Sequence, residues 1–424
     1  MGAKKIIVVG GGPAGMMAAI RAGQLKQDVT LVEKNTSLGK KLLLSGKGRG
    51  NLTNSCDLDS FLKKFSSNGQ FLRDAFKRFF NLELMNFFQK RGLKLKVERQ
   101  QRVFPVANRS NSVLKILEKE LQNNKVKIIY KAKMKDIFLE DNQVKGLLLD
   151  NGKAVAADRL ILATGGISYP FTGSTGEGID LSRRLGHRTV PLRPGLVPLE
   201  IRQEFPGRLE GLILKNISLK FTQLLRAGAG FSDYQRQIIS EIGELSFTKF
   251  GISGALVLSL SGKIADWLKE NKNVYVEIDL KPALSKDQLN ARLFREFKLN
   301  PQKTIKTILK NLLPARLIDI FIEIAKINPV KKVSQITQAE RNILVSLFKG
   351  LRLDITKPRP IEEAMITRGG ISLKDINPRT MESRLIRRLY FAGEMIDLDA
   401  DTGGFNLQAA FSTGYLAGEN AAVN

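Results

Sequence analysis

Gly10, Gly12 and Gly15 stand in the G-x-G-x-x-G register, with Pro13 and Ala14 between the last two. The β-branched run Lys4–Gly10 leads into them, and a stretch of helical composition, Pro13–Leu25, leads away. In such a turn the first glycine permits the tight bend, the second lets a diphosphate reach the main chain, and the third lets helix and strand pack closely. The helix start then offers free N–H groups and a partial positive charge to the diphosphate. Glu33 ends the next apolar run, Asp28–Glu33, 18 residues past Gly15. A carboxylate at that distance accepts hydrogen bonds from both hydroxyls of an adenosine ribose. The unit predicts a dinucleotide site.

Which dinucleotide is decided far downstream. Ala163-Thr164-Gly165-Gly166 follows the strand-like run Arg159–Ala163, and the run Leu389–Ala392 ends in Gly393-Glu394. Gly403-Gly404 then precedes a helix beginning near Asn406. This second glycine turn aims another helix N-terminus at an electron-rich group, and flavin pyrimidine carbonyls are the natural target. Two distant glycine turns around one dinucleotide fold favour FAD. No second strand–GxGxxG–helix occurs, so NAD(P)H is expected only as a transient donor docking over the flavin. The cofactor would supply hydride chemistry, and the protein position, electrostatics and a proton.

Cys56 and His187 are the only residues of their types. Dithiol redox chemistry within one chain, histidine triads and most zinc sites are therefore disfavoured, and no metal is expected. Proton transfer falls to Lys, Tyr, Asp, Glu, Cys56 or water. Tyr169, close behind the 163–166 turn, is one candidate proton donor; the bland alternative is a wall residue. Lys249 is a second, against the alternative of a solvated charge.

The elements that must position these groups follow from periodicity. Residues 60–91 are expected to be helical, with a phenylalanine-rich face read as core rather than as a nucleobase platform. A helix at 111–122 and strands at Val126–Tyr130, Met134–Glu140 and Val144–Leu149 come next. Between Pro191 and Lys281 the texture is strands and turns. From Ser285 to about Arg352 it is helical, cut by Pro301, Pro314 and Pro329. The C-terminal stretch returns to strands and glycine loops. One α/β domain interrupted by a β part and an α part accounts for this order.

Charge speaks to partners. The 68 basic and 41 acidic residues leave a net +27. Residues 61–102 carry 11 Lys/Arg against 3 Asp/Glu, and residues 285–352 carry 14 against 5. Such a field attracts polyanions, RNA or another; the competing reading is lysine-rich, solvated helix faces. No apolar run approaches the roughly 18–20 residues that span a bilayer, and a strand starts almost at once, leaving no room for a signal peptide. The expectation is a cytoplasmic protein with no membrane partner.

The stretch EKNTSLGKKLLLSGKGRGNLTN, residues 33–54, resembles the signature of the BaiN/RdsA-like NAD(P)/FAD-dependent oxidoreductases, a bacterial flavoprotein family once grouped with aminoacetone-oxidase-type proteins. RVFPVANRSNSVL (102–114), ATGGISYPFTGSTGEG (163–178), GELSFTKFGISGALVLSLS (243–261), TRGGISLKDINPRTMES (367–383) and GEMIDLDADTGGFNLQAAFSTG (393–414) resemble further motifs of that family, in order. The resemblance implies a Rossmann-like, glutathione-reductase-like FAD domain interrupted by a β-barrel-like insert and a small helical insert. We place the parts at 1–190, 191–283, 284–345 and 346–424. It further implies FAD contacts from Gly10–Gly15, Glu33, Lys34, the Gly39–Ser45 loop, Ala163, Thr164, Gly165, Gly393, Glu394, Gly404, Phe405, Asn406 and Leu407. Lys40 and Lys41 can neutralise the diphosphate, unless they are an ordinary solvated pair. Ser45, Gly46 and Asn51 can line the flavin with small polar contacts.

Two departures matter. Family members often read GRCN where this chain has Gly48-Arg49-Gly50-Asn51, and FTH where it has Phe247-Thr248-Lys249. A thiol or imidazole mechanism at those positions is in doubt; Cys56 is a substitute thiol, though a lone cysteine is more often inert. The family implies NAD(P)H-driven reduction of a carbon–carbon double bond, in steroid-like enones or in ribosomal RNA uridine. The charge favours the RNA. A small-molecule enone reductase, an amine oxidase and a flavin-containing RNA-binding factor are the alternatives.

Overall fold

The run KIIVV has no polar interruption after Lys5. In the computed structural model, which describes residues 2–225, 234–270 and 273–423, it forms the strand Lys5–Val9 at the centre of a five-stranded parallel sheet. Leu389–Phe391, Arg159–Leu162, Lys5–Val9, Asp28–Val32 and Lys127–Ile129 lie side by side in that order. Ile6 pairs with Val29 on one side and Arg159 on the other. Numbered along the chain, the order is fifth, fourth, first, second, third. The strand order therefore reverses beside Lys5–Val9, where open α/β sheets make their ligand crevice. Ile6–Val8 and Leu160–Leu162 are buried throughout, as strands covered on both faces require.

Two helices that are far apart in sequence pack closely within this unit. Pro13–Gln24 meets the C-terminal helix Phe405–Val423 at small residues. A Cβ on Gly414 would lie 2.2 Å from the Ala14 carbonyl oxygen, and one on Gly418 2.3 Å from that of Ala18. No larger residue fits there.

The expected helix over 60–91 is instead a set of short pieces, Leu58–Leu62, Arg73–Arg78 and Asn81–Gln89 among them. Asp57 caps the first through the Ser60 N–H, and Asn68, at positive φ, turns the chain before the second. The phenylalanines are core, as read: Phe61 is fully buried and meets Phe76, Phe80 and Phe405 edge-on.

The chain forms two compact units, Met1–Gly195 with Ile361–Asn424, and Leu196–Pro360. In the second, the strand Ile213–Leu225 pairs with both Gly243–Thr248 and Val274–Asp279, closing an antiparallel barrel. The strand Leu351–Pro358 completes it between Leu199–Ile201 and Val274–Asp279. Residues 346–360 therefore lie with the inserted unit, not with the returning domain. The β and helical inserts drawn at 191–283 and 284–345 share one hydrophobic cluster, so they form a single unit.

A further correction concerns Ala255–Glu270, a helix inside a region read as strands and turns. The run LVLSLS imitates strand alternation, whereas its buried positions Val257, Ser261, Ile264, Ala265 and Leu268 follow the helical period. Helices Lys286–Leu299, Ile305–Leu309, Ala315–Ala325 and Gln338–Lys349 are separated where the prolines predicted. Among the described residues no helix is long and apolar enough to cross a membrane.

Candidate cofactor and redox site

The first glycine turn is held by its own neighbours. Gly10 has φ +106, and a Cβ there would meet the Ala163 carbonyl oxygen at 2.4 Å. A Cβ on Gly15 would sit 1.9 Å from the Gly10 carbonyl oxygen. At Gly12, by contrast, a Cβ would meet nothing within 4 Å. Pro13 begins the helix, no side chain caps its first turn, and Ala14 follows. Open main chain at a helix N-terminus is what a diphosphate needs.

Glu33 is nearly buried at the end of the second strand. One carboxylate oxygen accepts the Gly11 N–H at 2.7 Å; the other accepts the Asn35 N–H and side-chain amide, both at 2.7 Å. The turn thus fixes the carboxylate. Lys34 reaches Thr175 at 2.6 Å and Glu177 at 3.1 Å, while Lys40 donates to Asn35 Oδ1 at 3.0 Å.

The stretch Gly39–Ser45, expected as a loop, winds into the short helix Lys40–Leu44 and docks through the Gly39 N–H on the Gly11 carbonyl, 2.9 Å. It delivers Lys41, whose ammonium donates to Ser168 Oγ at 2.7 Å and to both Glu394 oxygens at 2.7 and 2.6 Å. Glu394 also accepts the Thr367 N–H at 2.8 Å and Ser168 Oγ–H at 3.0 Å. Four segments therefore meet at one carboxylate: the short helix after Gly39, the loop after Ala163, the strand Ile366–Ile371 and the turn at Gly393. Lys41 faces this protein carboxylate rather than standing free for a diphosphate. Ala163 donates to Val9, Thr164 lies beside Met395, and Gly165 bends at φ +75.

The second glycine turn is held from outside. Gly393, at φ +76, donates to Thr413 Oγ1 at 3.0 Å. Gly404, at φ +100, lies so close to Thr53 that a Cβ would fall 2.4 Å from its carbonyl oxygen. With its amide oxygen towards Gly404, Asn51 accepts that N–H at 3.0 Å. Gly46 turns against Asn51 at φ +57. Three of the expected contacts have structural duties: Phe405 is buried against Phe61, Leu407 packs on the core, and Asn406 makes two 2.9 Å bonds with Ala400. Ser45 Oγ is buried without a partner, among the described residues. An orphan hydroxyl, an open Gly12 and an uncapped helix start fit a bound dinucleotide.

The proposed proton donors separate. Tyr169 sits at positive φ behind the 163–166 turn, its N–H on the Glu362 carbonyl and its ring tilted against Phe171. Burial, aided by Glu363, pushes its phenol pKa up, so it stays protonated and able to donate. Lys249 belongs to the other unit, exposed, with its ammonium 5.6 Å from the Phe250 ring centroid. Cys56 is half-buried, and burial and Asp57 raise its thiol pKa, the opposite of an activated thiolate. His187 is buried between Ser182 O and Ser383 Oγ, with its pKa lowered by burial, and serves the core.

Sequence reasoning passed over Thr367 and Asp397. Thr367 Oγ1 accepts the N–H groups of Ile167 and Ser168 at 2.8 and 3.1 Å, fixing the loop that carries Tyr169. Asp397 has its carboxyl pKa raised by burial and by Asp399. The alternating acids of Leu398-Asp399-Ala400-Asp401 were the available signal for the second.

Comparison with known proteins agrees with this geometry. The family model described as HI0933-like protein Rossmann domain matches residues 4–420. A relative from Clostridium scindens named 3-dehydro-bile acid delta(4,6)-reductase is 33% identical over 423 residues, covering 99% of each chain. An Escherichia coli relative named ribosomal RNA dihydrouridine synthase is 26% identical, covering 98% of this chain and 97% of its own. The solved 3-ketosteroid delta1-dehydrogenase from Sterolibacterium denitrificans shares the fold, with a TM-score of 0.54 at 13% identity and complete coverage of both chains.

Proposed function

The chain belongs to the HI0933-like Rossmann-domain family of FAD-dependent oxidoreductases, and from that premise we propose that it uses NAD(P)H to saturate a carbon–carbon double bond conjugated to a carbonyl, with uracil in ribosomal RNA as substrate. One observation carries the reading: glycine turns from opposite ends of the sequence are held in one unit, with open backbone at Gly12 and an orphan hydroxyl at Ser45. The relatives' names support the reaction class. The double bonds of a 3-dehydro-delta(4,6) bile acid and the C5=C6 bond of uracil are both conjugated to a carbonyl. The delta(4) bond and the uracil bond would be saturated by hydride at the carbon β to the carbonyl and a proton at the α carbon, and the delta(6) bond, conjugated through delta(4), by hydride at the δ carbon and a proton at the γ carbon, with NAD(P)H oxidised. The net +27 favours the nucleic acid, and a cytoplasmic setting supplies both NAD(P)H and ribosomes.

Gly10–Gly15 and Glu33 would hold the adenosine diphosphate half of FAD, and Ser45, Asn51, Glu394 and the Gly404 turn its flavin half. When bound, the flavin supplies hydride chemistry. Lys41 neutralises Glu394 and ties together the loops around it. Tyr169 donates the proton, from a loop fixed by Thr367.

Anaerobic reduction by NADH or NADPH, followed by reoxidation with ribosomal RNA, tests this reading. Dihydrouridine formation is expected. Reoxidation by an enone but not by RNA would support a second reading, a small-molecule reductase, which the 33% identity to the bile acid enzyme favours. RNA binding with no turnover would leave a flavin-containing RNA-binding factor. Colourless folded protein that takes up no FAD would end both reductase readings.

A further inference from the structure

Both basic stretches of the sequence are partly paired once folded: Arg73, Lys77, Arg78, Arg91 and Lys96 reach carboxylates in 61–102, and Lys306, Lys331, Lys349 and Arg352 do so in 285–352. On the helix Lys286–Leu299, Arg292, Arg295 and Lys298 reach none within 4.0 Å among the described residues. Arg341, on the neighbouring helix Gln338–Lys349, has the neutral amide of Asn290 as its side-chain hydrogen-bond partner, at 2.7 Å. None of these four cations is tied up in an ion pair among the described residues, although Asp287 and Glu296 lie on the same helix.

An aromatic ring stands among them. Phe294 is 43% exposed, one of two open phenylalanines among the described residues of this unit, with Phe250; the Arg359 over the Phe250 ring is paired with Glu200. Lys298 Nζ lies 4.5 Å and the Arg341 guanidinium carbon 4.8 Å from its ring centroid. Both cations lie over the ring; an exposed ring covered only by cations that hold no carboxylate suits single-stranded nucleic acid, whose phosphates draw the cations off as a base takes their place on the ring.

We propose that Phe294, Lys298, Arg341 and Arg295 form a docking surface for single-stranded RNA, the base stacking on Phe294 and the phosphates meeting the cations. This rests on the RNA reading above and says which face of the inserted unit takes the RNA. Arg292 extends the field towards Lys281, whose ammonium pKa is lowered by burial and by that arginine.

The test is fluorescence anisotropy of the full FAD-loaded chain with a labelled single-stranded RNA of about 16 nucleotides. Phe294→Ala should weaken binding about tenfold. The double variant Lys298→Glu with Arg341→Glu should weaken it further and flatten the slope of log affinity against log salt by at least about 1.4. Both should keep the parent's Tm and bound-flavin absorbance. If the parent does not bind RNA, the RNA reading fails and takes this surface with it. If the parent binds and both variants bind equally well, the surface alone is wrong. Weakening by charge reversal but not by Phe294→Ala would overturn the stacking role.

Discussion

The turns at Gly10–Gly15 and Gly403–Gly404 both lead into a helix, yet they are held differently. The first is fixed by groups within a short strand–helix–strand stretch: Gly15 against Gly10, and Gly11 against Glu33. From further away come Ala163 beside Gly10, Gly39 on the Gly11 carbonyl and Gly414 beside Ala14. The second depends on segments hundreds of positions earlier, with Thr53 against Gly404, Asn51 on its N–H and Phe61 under Phe405. A locally held turn announces itself in a motif. A turn held by distant partners is visible in sequence only as glycines.

That contrast can be broken by substitution. The largest effect is expected from Gly15→Val, which forces a side chain into the Gly10 carbonyl oxygen. It should abolish bound flavin and cost at least about 3 kcal/mol of stability, read by absorbance and urea unfolding. Folded, coloured protein would show that the first turn is not under local steric control. Phe61→Ala leaves the first turn untouched but removes the ring beneath Phe405. A loss of about 3–5 kcal/mol is expected in the same unfolding assay, with flavin release preceding unfolding because the second turn loosens first. Simultaneous loss would mean that the two turns are not independently held.

Tyr169→Phe tests the loop between the turns. Flavin content should be unchanged and turnover should fall about a hundredfold. Because the phenol pKa is raised, parent activity should not decline through deprotonation of this group until the pH exceeds its ordinary value of about 10. A decline that is present in the parent at lower pH and disappears in Tyr169→Phe would contradict that protonation state.

The smallest effect is expected at Asp397, on the approach to the second turn. Its folded pKa is raised by burial and Asp399, so its contribution to stability is full below the unfolded value of about 3.9 and is lost as pH rises through the folded value. Asp397→Asn should therefore raise Tm at pH 7 by about 1–2 °C and change little near pH 4. A lower Tm at pH 7 would show that the carboxylate is held by a favourable partner instead.

Much of the fold was legible. The central strands, the glycine-turn helix and the proline-punctuated helices follow from apolar runs and breakers, which act over a few residues. The helix Ala255–Glu270 was not, because LVLSLS satisfies strand alternation and helical periodicity alike, and tertiary packing chose between them. Within the site, Glu33 was readable from its spacing to Gly15. Lys41 was readable as a cation near the site, but its partner was not: nothing local to Lys41 indicates that Glu394 will lie 2.6 Å away. The basic stretches 61–102 and 285–352 look alike as composition, and only the folded chain shows that Lys298 and Arg341 come together over the exposed ring of Phe294.

The amino-acid order alone settled where the chain must bend at positive φ, where a helix must begin and which faces must be buried, because these are demands of a residue on its immediate neighbours. Tertiary structure decided which residues meet: Glu394 with Lys41, Thr53 with Gly404, Ala14 with Gly414, Phe294 with Arg341. Those pairings depend on the route of the whole chain, and neither member of a pair carries the other's position in its own surroundings.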